Sequence, residues 1–170
     1  MYQQKIVTQV KRRQKRMAGV LRVTMLFFGI VFVLMAIVVS RGFMLSGFLL
    51  VGLYFVFDIF SRKSYEYLLE GETLCITVFL GGRYRREAHE LDLGKLEVLA
   101  PSWHESVAQY RKDGGSIRLR KYDYTSYEED VPYYTMIIFE NGTKIKLLLD
   151  LEREMLLAIK KQHPQKVFFE

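Results

Sequence analysis

VTMLFFGIVFVLMAIVVSRGFMLSGFLLVGLYFVFDIF, residues 23 to 60, decides how the rest of the chain is read. Val23 to Ser40 gives 18 residues without a charge, and Gly42 to Phe57 gives 16 more before Asp58. At a rise of ~1.5 Å per residue such helices measure about 27 and 24 Å, close to the ~30 Å hydrocarbon core of a bilayer. The stretch predicts a tight transmembrane helical hairpin, 23–40 and 42–60, turning at Ser40-Arg41-Gly42. Arg41 can snorkel its guanidinium to the interface. Gly29, Gly42, Gly47 and Gly52 allow close helix contact, and Asp58, one turn before Arg62, is expected to pair with Arg62 or Lys63 at headgroup level.

Working outward, the formal charge of +6 on 170 residues is unevenly placed. Before Ser64, ten Lys or Arg face the single acid Asp58; from Ser64 onward, 15 basic residues face 18 acidic ones. The excess positive charge therefore flanks the hairpin, where it sets orientation, and a basic groove for nucleic acid is disfavoured. Residues 1–22 read as a cytoplasmic basic leader, a topogenic signal with a short interfacial helix, whose densest run is Lys11 to Arg16. A cleaved signal peptide is disfavoured, because the 18-residue apolar core exceeds the roughly 7–15 residues usual for such segments and a second apolar run follows at once. Only Arg41 lies between the two spans, so the expected location is the cell membrane, with two passes and both termini cytoplasmic.

From Ser64 the hydrophobic period changes from helical to alternating. Tyr65, Tyr67 and Leu69, the Glu70-Gly71-Glu72 turn, then Leu74, Ile76, Val78 and Leu80 read as a β-hairpin. Arg83 to Leu91 predicts a third strand, and Lys95 to Ala100 a fourth with Leu96, Val98 and Ala100 on one face, stopped by Pro101. Pro101 to Ser116 is irregular, Ile117 to Tyr124 is an exposed edge strand, and Ser126 to Asp130 a solvated loop. Val131 to Glu140 and Thr143 to Leu149 flank Asn141-Gly142, the strongest hairpin signal in the chain. Asp150 is expected to cap a helix over 151–162 with Leu151, Met155, Leu156 and Ile159 as its apolar stripe. Residues 64–170 thus predict one small domain of about seven strands and a terminal helix, soluble and mainly β on its own.

Two apolar helices, a run of antiparallel strands and one closing helix resemble bacterial membrane proteins that carry a pleckstrin-homology-like (PH-like) domain behind a helical hairpin. The Ser64 to Gly71 strand and turn, the Leu96-Glu97-Val98-Leu99-Ala100-Pro101 segment and the Asn141-Gly142 hairpin leading to Asp150 are similar to an uncharacterised family of that type, over roughly residues 20 to 165. The resemblance implies an α+β domain behind the hairpin, an antiparallel β half-open barrel of two packed sheets closed by the C-terminal helix. It implies no activity.

No convergent catalytic site is legible. His89, His104 and His163 have no helical ligand spacing, and His89, between Glu87 and Glu90, reads as a surface side chain. Cys75 excludes a disulfide within the chain and a cysteine-based metal cage, and reads as a small core hydrophobe. Glu128-Glu129-Asp130 lacks the alternating ligands of a calcium loop, and Gly81-Gly82 precedes a strand, so it is no phosphate cradle. Two features stand as candidates. Arg83, Arg85 and Arg86, with Arg62 and Lys63, are the candidate contacts for anionic lipid. Trp103, Tyr110, Tyr122 and Tyr124, in a tyrosine-rich region around the irregular loops, are the candidates for protein interaction. The expected function is a membrane-anchored, non-enzymatic binding or assembly domain on the cytoplasmic face, with the lipid bilayer and other membrane proteins as partners and with no cofactor or metal. The alternatives are a membrane-bound hydrolase or metal enzyme, and a lipid or peptide-ligand carrier.

Overall fold

The computed structural model describes residues 5–14, 16–111 and 113–169, with Arg16 described by its backbone only. Lys15 of the basic run and Glu170 at the end of the predicted domain therefore lie outside the described residues. The chain forms two compact units, one joining the stretch that ends at Arg12 to Ser64–Phe79 and Arg85 onward, the other holding Arg13–Lys63 with Leu80–Tyr84.

In the helical unit, α1 runs Arg16–Val38 and α2 Phe43–Ser61. Both are long and apolar enough to cross a membrane, and only 11% and 6% of their most apolar windows are buried, unlike the core helices of a soluble protein. Their closest approach is set by two glycines. A Cβ on Gly47 would lie 3.1 Å from the Val33 backbone nitrogen and 3.3 Å from the Gly29 carbonyl oxygen, so any larger side chain would push the helices apart. No such contact surrounds Gly52. Asp58 accepts from Arg62 as expected, at 3.0 Å, and is also paired at 3.1 Å with Arg22 of α1, a partner that sequence distance conceals. That pair ties the open end of the hairpin across its two helices.

The other unit contains two four-stranded sheets. The first, in the order β1-β2-β3-β4, comprises Lys5–Lys11, Lys63–Glu70, Thr73–Leu80 and Tyr84–Asp92; the second, β5-β7-β8-β6, uses β5 Leu96–Pro101, β6 Arg120–Asp123, β7 Tyr134–Glu140 and β8 Thr143–Leu149. Helix α3, Arg153–Gln162, follows. The expected organisation is present in outline: two sheets and a closing helix, without closure into a barrel. Four differences are informative.

Among the described residues the strands number eight, because part of the supposed leader is β1, antiparallel to β2 with Lys11 opposite Ser64 and Lys5 opposite Glu70. Its cations hide an ordinary alternation in which Ile6 and Thr8 are buried and Val7 is exposed. Next, β6 runs parallel to β8. A bulge between Leu96 and Val98 shifts the β5 register, so Leu96 and Leu99 face the main core while Val98 and Ala100 join Val107, Tyr110 and Ile137 in a second cluster. Finally, α3 starts after Glu152, whose side chain makes no capping bond, and Asp150 is used elsewhere.

Alternation builds the main core: Tyr65, Tyr67 and Leu69 of β2, Leu74 and Ile76 of β3, Met136 and Ile138 of β7, Leu147 and Leu149 of β8 are all buried in it. Each such apolar side chain contributes about 1.5–3 kcal/mol relative to exposure. Met155, Leu156 and Ile159 press α3 onto that core. Asn141 and Gly142 both adopt positive φ, 49° and 76°, as a two-residue hairpin requires. The edge of β5 is covered by the chain's end, where Leu99 N–H donates to Lys166 O and Phe168 N–H to Leu99 O.

Candidate functional site

The β3–β4 turn is built by Gly81 and Gly82, whose φ values of 61° and 72° suit only glycine without strain, and the Gly81 N–H donates to Arg62 O at 2.8 Å. A Cβ on Gly81 would meet Ile59 of α2 at 3.2 Å, so turn and helix end are in contact within the helical unit. Arg83, Arg85 and Arg86 are all exposed. Arg85 lies 3.9 Å from Glu66 and over the Phe79 ring, a loose surface arrangement. Arg62 is engaged with Asp58, and Lys63 is the first residue of β2.

The four aromatic candidates do not form one surface. Trp103 is 58% exposed, but Tyr110 and Tyr124 are buried and Tyr122 is partly so. Tyr110 donates its hydroxyl to Glu97 and packs in the second cluster. Tyr122 of β6 and Tyr124, just beyond it, turn inward together; Tyr124 rests edge-on against Tyr65, and its carbonyl accepts the Tyr67 hydroxyl at 2.7 Å. Burial pushes the Tyr124 phenol up to about 12. His89, expected at the surface, is 6% exposed beneath these rings, with Nδ1 2.7 Å from Glu140 Oε1. A polar side chain inside β4 faces inward there because a carboxylate of β7 satisfies it. Cys75 is the opposite case: it points from the outer face of β3 and is only partly buried.

A cleft of about 490 Å³ lies under the loop between β6 and β7. Its wall includes Trp103, Asp123, Tyr127, Tyr133 and Asp150. The loop is internally tied. Asp123 Oδ1 accepts from the Thr125 hydroxyl at 2.8 Å, Ser126 Oγ accepts from the Glu128 N–H, and Tyr127 sits at φ 61°. Burial alone would raise the Asp123 carboxyl, but the Thr125 bonds and Lys121 outweigh it and hold it below the usual range. Asp150, 7% exposed, accepts the Ser126 N–H through Oδ2 at 2.6 Å; Oδ1 has no hydrogen-bond partner among the described residues. A second cleft of about 350 Å³ shares Glu128, Val131 and Asp150 and is bordered by β1. Sequence reading passed over Asp150 because an aspartate between a strand and a helix looks like a cap. Among the described residues, no group of three or more His, Cys, Asp or Glu is placed to hold a metal ion.

Two apolar helices, two four-stranded sheets and a C-terminal helix define a PH-like class of domain with a helical hairpin. The match to the family model "Bacterial PH-like domain (DUF6106)" extends over residues 5–169, and the chain belongs to that family. No curated protein and no solved structure matches it.

Proposed function

We propose that the protein is a membrane-anchored, non-enzymatic binding or assembly domain held on the cytoplasmic face by its helical hairpin. The observation that carries this reading is the place of the hairpin in the chain: it leaves the first sheet after Lys11 and returns at Ser64, the residue paired with Lys11. Strands hydrogen-bonded to each other lie on one side of a bilayer, so the segment between them crosses an even number of times. The cations before α1 and after α2, against Arg41 alone at the turn, support a cytoplasmic location for that side. The test uses a Cys75→Ser background. A cysteine at Ser40 is expected to react with an impermeant thiol reagent on intact cells, and one at Asp113 only after lysis; labelling of the Asp113 position from outside would refute the topology.

Arg83, Arg85 and Arg86 follow the turn that rests on Ile59, and with Lys63 and Arg62 they supply the cationic contacts for anionic headgroups, each worth about 1 kcal/mol near such a surface. Replacing the three arginines by glutamate in the full chain is expected to remove the salt-sensitive part of anionic-lipid retention in non-ionic detergent, measured by native mass spectrometry against a zwitterionic lipid. Equal retention by variant and parent would show an ordinary solvated strand end.

A further inference from the structure

We propose that the paired clefts meeting at Asp150 bind an organic cation, the alkylammonium or guanidinium end of a basic side chain presented by a partner peptide. Charge is the first argument. Asp123, Glu128, Glu129 and Asp150 stand in the wall of the larger cleft against Lys121, whose Nζ is already 3.3 Å from Asp123 Oδ2, so the cleft favours a cation.

The second argument is unspent hydrogen-bonding capacity. Asp150 Oδ1 and the hydroxyl of Thr8, a residue 2% exposed, both lack a partner among the described residues, and both residues border the smaller cleft. Buried polar atoms are normally paired, and a carboxylate oxygen and a hydroxyl oxygen in the border of one cleft can both accept from a group with several N–H donors, such as ammonium or guanidinium. With no metal-holding group among the described residues, the donor set suits an organic cation better than a metal ion.

The third argument is the aromatic wall. Trp103, Tyr127 and Tyr133 are each at least 40% exposed beside the carboxylates, the combination that takes an aliphatic stem and its cationic head together. The protein already makes this contact internally: the Arg12 guanidinium lies 3.9 Å from the Tyr127 ring centroid and donates to the Tyr65 hydroxyl at 2.6 Å.

Trp103 is the chain's single tryptophan and reports on the cleft directly. The full chain in non-ionic detergent is titrated with an oligolysine peptide while tryptophan emission is followed. A saturable change is expected, weakened about tenfold by Asp150→Asn and about threefold by the exposed pair Glu128→Gln/Glu129→Gln. The Asp150→Asn variant keeps a side-chain oxygen for the Ser126 N–H; should it fail to fold by circular dichroism, the Glu128/Glu129 pair decides. Glu87→Gln/Glu90→Gln on β4 should leave binding unchanged. No saturable response, or equal losses from the β4 and cleft pairs, would overturn the proposal. Spermidine displacing the peptide supports the cation chemistry, whereas spermidine binding more tightly than the peptide overturns the assignment to a peptide. None of these variants touches the Arg83–Arg86 segment, so failure here leaves the anchoring reading standing.

Discussion

A chain in which residues 13–63 are replaced by a glycine-containing turn of about four residues is expected to be a soluble, folded domain, whereas a fragment beginning at Ser64 is expected to be unstable and to self-associate. The difference is β1. It pairs with β2 along seven positions, from Lys5 opposite Glu70 to Lys11 opposite Ser64, and supplies Ile6 to the main core. Removing it bares the whole β2 edge, strips Ile6 at about 2–5 kcal/mol by analogy with large core deletions, and cuts the Arg12 contacts to Tyr65 and Tyr127. Against a total stability of about 5–15 kcal/mol, that is a large fraction. Because Lys11 and Ser64 face each other, a short turn can join them without strain. Urea denaturation and size-exclusion chromatography of the two proteins provide the comparison, and equal stability would show that β1 is dispensable.

Leu156→Asp should unfold the same domain. Leu156 is 3% exposed on the face of α3 that carries Met155 and Ile159 onto the sheets, so the variant buries an unpaired carboxylate and costs several kcal/mol. The neighbouring Leu157 is 50% exposed, and Leu157→Asp should change stability by no more than about 0.5 kcal/mol. Thermal denaturation followed by circular dichroism separates the two; a cooperative transition retained by Leu156→Asp would show that α3 is not packed where it is placed.

The parts of this architecture that repeat regularly were legible in the sequence. Uncharged runs announced both helices, alternation announced β2 and β3, and Asn141-Gly142 between two apolar runs announced the hairpin of β7 and β8. What escaped depends on contacts between residues far apart. Lys5–Lys11 looked like a charged leader because its hydrophobic content is low, and only pairing with a strand far along the chain makes it β. The bulge after Leu96 defeats any fixed period, so Leu96 and Val98 part company. Burial of His89 rests on Glu140, and burial of Tyr110 on Glu97, partners that composition cannot supply. The arginine turn was readable because glycines and cations adjoin in the chain. The cleft was not, because Thr8, Trp103, Asp123 and Asp150 come from four separate segments.

Strand pairing across the hairpin also orders events during synthesis. Lys11 leaves the ribosome 53 residues before Ser64, an interval of roughly 3–10 s at about 5–20 residues per second. For that time β1 has no sheet to join, while both apolar helices emerge and, on the anchoring proposed above, enter the bilayer. If the hairpin spans the membrane as proposed, the first sheet can be completed only after α1 and α2 have returned the chain to the side where β1 waits. On the same reading, a nascent chain that inserted with one helix astray would leave Ile6 and the β2 edge uncovered and open to proteolysis. Under the anchoring proposed above, completion of the sheet would act as proofreading of membrane insertion.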